Sequence, residues 1–168
     1  MQKENGNKNP PKTEIIIISQ PIRELCVLRG YNQGGGSMQA FTFRLKPGQD
    51  LFNEIEAIVA KKNIEAGCVL SAVGSLTHAT LRLANHEYYS EYDGHFEIVS
   101  MTGTVSVHGS HLHISISDGD GKTTGGHLVP GCKIFTTAEM VLAIFEDVVY
   151  KREFAEDSGY EELVVKPR

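Results

Sequence analysis

The chain has little of what would place it in a membrane, on nucleic acid or in a disulfide scaffold. No apolar run approaches the ~20 residues of a membrane span, and the four isoleucines Ile15–Ile18 fall far short of it. The opening MQKENGNKNPPKTE lacks the apolar central region of a secretory signal, so the expected location is cytoplasmic. Cationic excess is missing too: 16 Lys and Arg stand against 21 Asp and Glu, a formal net charge of −5. No global positive field therefore draws the protein to phosphate backbones or anionic lipid. Three cysteines, Cys26, Cys68 and Cys132, form an odd set with no C-x-x-C spacing. They read as small reduced core residues, which excludes a disulfide framework.

What is present suits one globular domain. With 168 residues and 40% hydrophobic content, the chain can bury a single good core. Residues 1–37 read as an N-terminal arm: a polar, proline-bearing start, the Ile15–Ile18 segment, a leading strand at Leu25–Arg29 and the glycine-rich loop Tyr31–Ser37. The main domain is expected over 38–168. Phe41, Phe43 and Leu45 alternate with Thr42 and Arg44, the period of a half-buried strand. Asp50 then caps a helix that carries Leu51, Ile55, Ile58 and Val59 on one face. Short strand-like runs follow at Cys68–Val73, Thr77–Ala84, His95–Val107, His111–Ser117, Thr123–Val129 and Lys133–Thr137. One helix followed by many strands implies an α+β fold with an antiparallel, barrel-like sheet. The stretch TTAEMVLAIFEDVV carries conflicting signals. Thr136 and Glu139 make a capping box, which argues for a helix, whereas Val141, Ile144, Val148 and Val149 suit a buried strand.

The chemistry concentrates in HLHISISDGDGKTTGGH, where three of the seven histidines fall within His111–His127. In HLHISIS the residues Leu112, Ile114 and Ile116 face one way; His111, His113, Ser115 and Ser117 face the other. The position of His127 depends on the turn. A two-residue loop sends it to the opposite face. A three-residue loop, Gly119-Asp120-Gly121, joins Asp118 to Lys122 and sets His113 opposite His127. Such loops favour glycine at the left-handed third position, where Gly121 stands. Opposed Cβ atoms lie roughly 4.5–5.5 Å apart, within reach of one ion shared by three imidazoles. His111, His113 and His127 are thus the candidate metal ligands. Zinc is the default ion, with nickel, copper and iron compatible.

Other features carry less. GKTT (Gly121–Thr124) lacks the upstream glycine and the following helix of a phosphate-binding loop. His78, His86, His95 and His108 fall near turns or strand ends and read as solvated. Glu97, on a strand face with Val99 and Met101, is either a paired structural carboxylate or an acid–base group beside the metal. Tyr88 and Tyr89 read as packing or groove-lining residues.

Five ordered blocks resemble the plant-and-prokaryote-conserved (PPC) domain, the module that accompanies AT-hook DNA-binding motifs in plants. They are LKPGQDL (Leu45–Leu51), AVGSLTHATLR (Ala72–Arg82), FEIVSMTGTVS (Phe96–Ser106), the histidine segment through Leu128, and GCKIFTTAEMVL (Gly131–Leu142). The resemblance covers roughly residues 38–165 and implies a central antiparallel sheet flanked by helix, assembled as a homotrimer. It makes TTAEMVL a strand. Prokaryotic members of this type carry an H-x-H…H set associated with zinc, which falls here on His111, His113 and His127. The implied fold is also similar to that of acetolactate decarboxylase, a zinc enzyme using three histidines, by analogy of fold alone. This chain departs from the plant pattern in having no R-G-R-P hook and no basic tail. The resemblance therefore implies a metal-binding regulatory module associated with DNA, only weakly or through a basic partner. A small zinc-dependent metalloenzyme is the alternative.

Overall fold

The computed structural model describes residues 38–168 and, before them, the backbone of two short strands, β1 (Ile16–Ile17) and β2 (Cys26–Gly30). The loop expected at Tyr31–Ser37 and the polar start lie outside the described residues. From Met38 onward the order is β3 (Met38–Leu45), α1 (Leu51–Lys61), β4 (Gly67–Arg82), β5 (Tyr89–Val105), β6 (His111–Ser117), β7 (Thr123–Leu128), β8 (Lys133–Phe145), β9 (Val148–Ala155) and β10 (Tyr160–Pro167). The fold is α+β and antiparallel, as the patterning implies.

Phe41, Phe43 and Leu45 of β3 are buried, and the strand pairs with β8 along its whole length. The helix begins where the cap demands. Asp50 accepts from the Asn53 backbone N–H (3.1 Å), satisfying a donor that has no partner inside the first turn. Its second oxygen accepts from Gly131 N–H (2.8 Å) and pairs with Lys133 (3.3 Å), tying the helix start to β8. Leu51, Ile55 and Val59 are buried and Ile58 packs against them.

One reading of the middle of the chain needs correction, and one conflict of signals is resolved. Cys68–Val73 and Thr77–Ala84 are not separate strands but parts of the long β4, with register shifts between Val69 and Ser71 and again around Leu76. Gly74 looks like a break in sequence. It is a point of close approach: a Cβ there would lie 2.1 Å from the Thr137 carbonyl of β8. TTAEMVL is a strand, as the resemblance implies, and the capping box at Thr136 and Glu139 does not start a helix. Ala138, Met140, Leu142 and Ala143 are buried in β8, which pairs with β3 on one side and β4 on the other. A central strand burying this many apolar side chains outweighs the few tenths of a kcal/mol to ~2 kcal/mol that a local cap supplies.

The sheet runs β1-β2-β3-β8-β4-β5-β6-β7, and β7 returns to pair with the end of β4 through Leu81↔Leu128 and Arg82↔His127. Strands β4 to β7 thus close a four-strand ring on one end of an otherwise open sheet. Leu81, Leu112, Ile114, Ile116 and Leu128 point into it. The outer face is left to the polar residues between them. Beyond β8, β9 and β10 form a separate two-stranded ribbon with no alternation signal clear enough to read in advance.

Candidate metal centre

The three histidines converge. The turn is the three-residue one: Asp118 N–H donates to Lys122 O, and Gly121 N–H to Asp118 O, both at 3.0 Å. Gly121 takes φ +81°, the left-handed geometry the loop requires. Asp118 adds a lock of its own, its Oδ1 accepting from the backbone N–H groups of Asp120 (3.0 Å) and Lys122 (2.9 Å). Register follows from the turn. Ser117 opposes Thr123 and His113 opposes His127, so one slip in either direction would turn His127 into the barrel.

His111 Nε2, His113 Nε2 and His127 Nδ1 lie 3.1 Å from one another, an equilateral triangle on the outer face. In a neutral imidazole each ring nitrogen either donates or accepts along one direction, so three aimed at one point cannot all satisfy each other. A cation satisfies all three lone pairs at once. The size fits. Nitrogens with this spacing lie ~1.8 Å from their common centre, close to the ~2.0–2.1 Å of an imidazole–zinc bond, so His111, His113 and His127 would hold such an ion. Among the described residues no fourth His, Cys, Asp or Glu joins the group. The donor set is therefore three imidazole nitrogens on a largely exposed face.

The electrostatics favour the unprotonated form of His127 and His111. Burial holds the His127 pKa down to about 4, with Arg82, His113 and His111 acting in the same direction. Burial also lowers His111, followed by the charges of His113, Arg152 and Arg82, while Glu162 opposes them. No local pattern links the last three, Arg152, Arg82 and Glu162, to the site. Arg82 arrives because β4 closes the ring onto β7. Arg152 and Glu162 arrive on the β9–β10 ribbon, and Arg152 Nη2 donates to Thr104 Oγ1 (2.9 Å), the residue opposite His111 on β5. Alternation within β4 would place Arg82 on the outer face, but only the long-range pairing tells which partner it meets.

Glu97 is not brought to the histidines. It opposes Ser117, four positions along β6 from His113, or ~13 Å at ~3.3 Å per residue. It does not share a face with Met101 either. A bulge between Ile98 and Ser100 reverses the parity, leaving Glu97 exposed and Met101 buried. Cys132 also stays apart, its thiol buried, pushed up to about 11 by desolvation and donating to Thr80 O. Of the remaining histidines, His78 binds Asp93 (Nδ1···Oδ1 2.6 Å), His95 stacks on Phe135 and His86 on Tyr88, and His108 meets Lys151. His95 and His108 are exposed, as expected, and none of the four joins the triangle.

Comparison with known proteins places this geometry in a family. Residues 32–146 match the Plants and Prokaryotes Conserved (PCC) domain. A bifunctional protein GlmU of a Synechococcus strain is 44% identical over 132 residues, covering 79% of this chain but only 21% of that protein. The AT-hook motif nuclear-localized protein 8 of Arabidopsis thaliana is 28% identical over 67% of this chain and 32% of its own length. The chain thus spans a fifth to a third of these curated relatives. Among solved structures, a hypothetical protein from Salmonella superposes with a TM-score of 0.78 at 34% identity, covering 82% of this chain and 99% of that one. A metal-containing protein from Archaeoglobus fulgidus superposes with a TM-score of 0.64 at 28% identity over 74% and 92%. With 115 residues matched (32–146), more than half of the chain, the chain belongs to the Plants and Prokaryotes Conserved domain family.

Proposed function

We propose that this protein is a zinc-binding member of its family, holding the ion through His111, His113 and His127 and keeping it open to ligands on the outer face. The observation that carries the proposal is the triangle of ring nitrogens at 3.1 Å with no fourth protein donor in the group. The relative from Archaeoglobus described as metal-containing supports it. A structural zinc is closed by four protein ligands, whereas an open position is the mark of a site that binds or activates something. When bound, the ion supplies Lewis acidity toward an oxygen ligand. The protein's contribution is to hold three neutral imidazoles in one register.

The same open position favours a second reading, a small zinc-dependent metalloenzyme. Glu97 is not placed to serve it as an acid–base group. As a regulatory module, the reading rests on relatives that carry AT-hooks. With 16 basic against 21 acidic residues, the chain itself is expected to bind duplex DNA weakly at physiological salt or to reach it through a basic partner. Leu70, Val73, Val99 and Phe135 expose apolar surface on neighbouring strands, which supports burial in a homotrimer. Among the described residues no helix is long and apolar enough to cross a membrane, in keeping with a cytoplasmic location. Elemental analysis of untagged protein, with sedimentation equilibrium on the same sample, tests the reading. About one zinc per chain and a mass of three chains are expected; metal-free protein or a monomer overturns the corresponding half.

A further inference from the structure

We propose that Arg82 and Arg152 make the metal centre a receptor for a small organic carboxylate, which bridges the ion and the two guanidinium groups. This rests on the zinc reading above and adds the class of ligand. Arg82 opposes His127 on β7 and Tyr89 on β5, and the adjacent Leu81–Leu128 pair is buried, so Arg82 and His127 project together from the outer face. The side chain is half-buried, yet among the described residues it makes no hydrogen bond or ion pair. A partly desolvated guanidinium without an acid beside it is poorly compensated in a chain with 21 carboxylate side chains to choose from.

Arg152 approaches from the other side of the triangle. One of its nitrogens donates to Thr104, which fixes the guanidinium beside His111 and leaves the rest of the fork free. Two cationic forks and three neutral imidazoles thus surround one open position. Without an anion, binding a divalent ion here would add two positive charges beside two arginines. A ligand carrying negative charge relieves that repulsion and takes the open coordination position. The choice of carboxylate over phosphate follows from Glu162, next in the chain to the Leu163 that pairs with Arg152, whose carboxylate would oppose a dianion. A planar monoanion matches the bidentate fork of an arginine and leaves an oxygen for the ion.

The test uses the full chain loaded with Co2+, whose visible spectrum reports its ligands independently of any activity. Metal content of each variant is measured first, so failure to hold metal is read separately and would sink the zinc reading together with this one. Glycolate titrated into the wild type is expected to give a saturable spectral change. Glycolamide, of the same shape but uncharged, is expected to give none. Arg82→Gln should keep its cobalt and weaken glycolate at least tenfold, while Arg152→Gln, tied to Thr104, should weaken it about threefold. Equal glycolate affinity in Arg82→Gln, or equal binding of glycolamide, overturns the proposal. Inorganic phosphate binding more tightly than glycolate would overturn the assignment to carboxylates.

Discussion

Two hairpins of this molecule share a local architecture and differ in nearly everything that follows from it. The β6–β7 hairpin and the β9–β10 ribbon are both antiparallel, and both turn through a glycine of positive φ, Gly121 at +81° and Gly159 at +77°. The first has one face packed into a closed ring and the other face free to carry chemistry. The second leaves Phe154, Tyr160 and Val165 more than half exposed, and joins the rest of the molecule through a few contacts. Tyr150 N–H donates to Glu65 O, Ser106 Oγ donates to Tyr150 O, and Arg152 reaches Thr104. A two-stranded ribbon has little stability of its own in water. Precision at the metal centre comes from ring closure, which the ribbon lacks. The ribbon supplies charge around the site rather than ligands to it.

The comparison can be broken most severely at a ligand. His113→Ala leaves two imidazoles and is expected to take metal content from about one per chain to almost none by elemental analysis, whereas Arg152→Ala on the ribbon should leave stoichiometry unchanged. The two turns offer a closer contrast. Gly121→Val forces a β-branched residue into left-handed geometry at a cost of ~1–2 kcal/mol in denaturant unfolding, and it should weaken metal retention as the register loosens. Gly159→Val carries the same local strain but should leave metal retention intact.

Acid gives a subtler effect. The folded-state pKa of His127, about 4, lies below its ordinary value of 6.5, so between those values the unfolded chain binds more protons than the folded one. Stability of the metal-free protein attributable to this ring is therefore complete above about 6.5, falls with pH through that window, and falls no further below about 4. Arg82→Gln should move the imidazole titration seen by NMR upward, but by less than the whole shift, since burial is the larger cause. Smallest of all is the exposed Lys166–Glu153 pair across the ribbon. Lys166→Ala is expected to change stability by no more than ~0.5 kcal/mol in the same denaturant assay.

The same contrast explains what could be read from the sequence. His111, His113 and His127 were legible because every step linking them is local: strand parity, a three-residue turn and a left-handed glycine. The helix was legible for the same reason, since Asp50 and the Leu51, Ile55, Val59 spacing are neighbours in the chain. Glu97 was misjudged because a bulge at Val99 leaves no mark in a period-two pattern. The capping box of Thr136 and Glu139 was a true local signal that central burial in β8 overrode. Arg82 and Arg152 were out of reach. Nothing in either residue's neighbourhood announces that one strand will close a ring, or that the terminal ribbon will lean on Thr104.

The span of the ligand set has a bearing on how the molecule assembles. His111 and His127 are 16 positions apart, while the pairing of β4 with β8 joins residues as distant as Gly67 and Ile144. Loop closure grows costlier with separation, and distant pairings dominate the folding time of sheet proteins. The histidine hairpin, with the geometry to take an ion, can therefore form before β4 and β8 find each other. In refolding experiments metal capture should precede the burial of Met140 and Leu142, making the ion an early fastening for a chain whose sheet closes late.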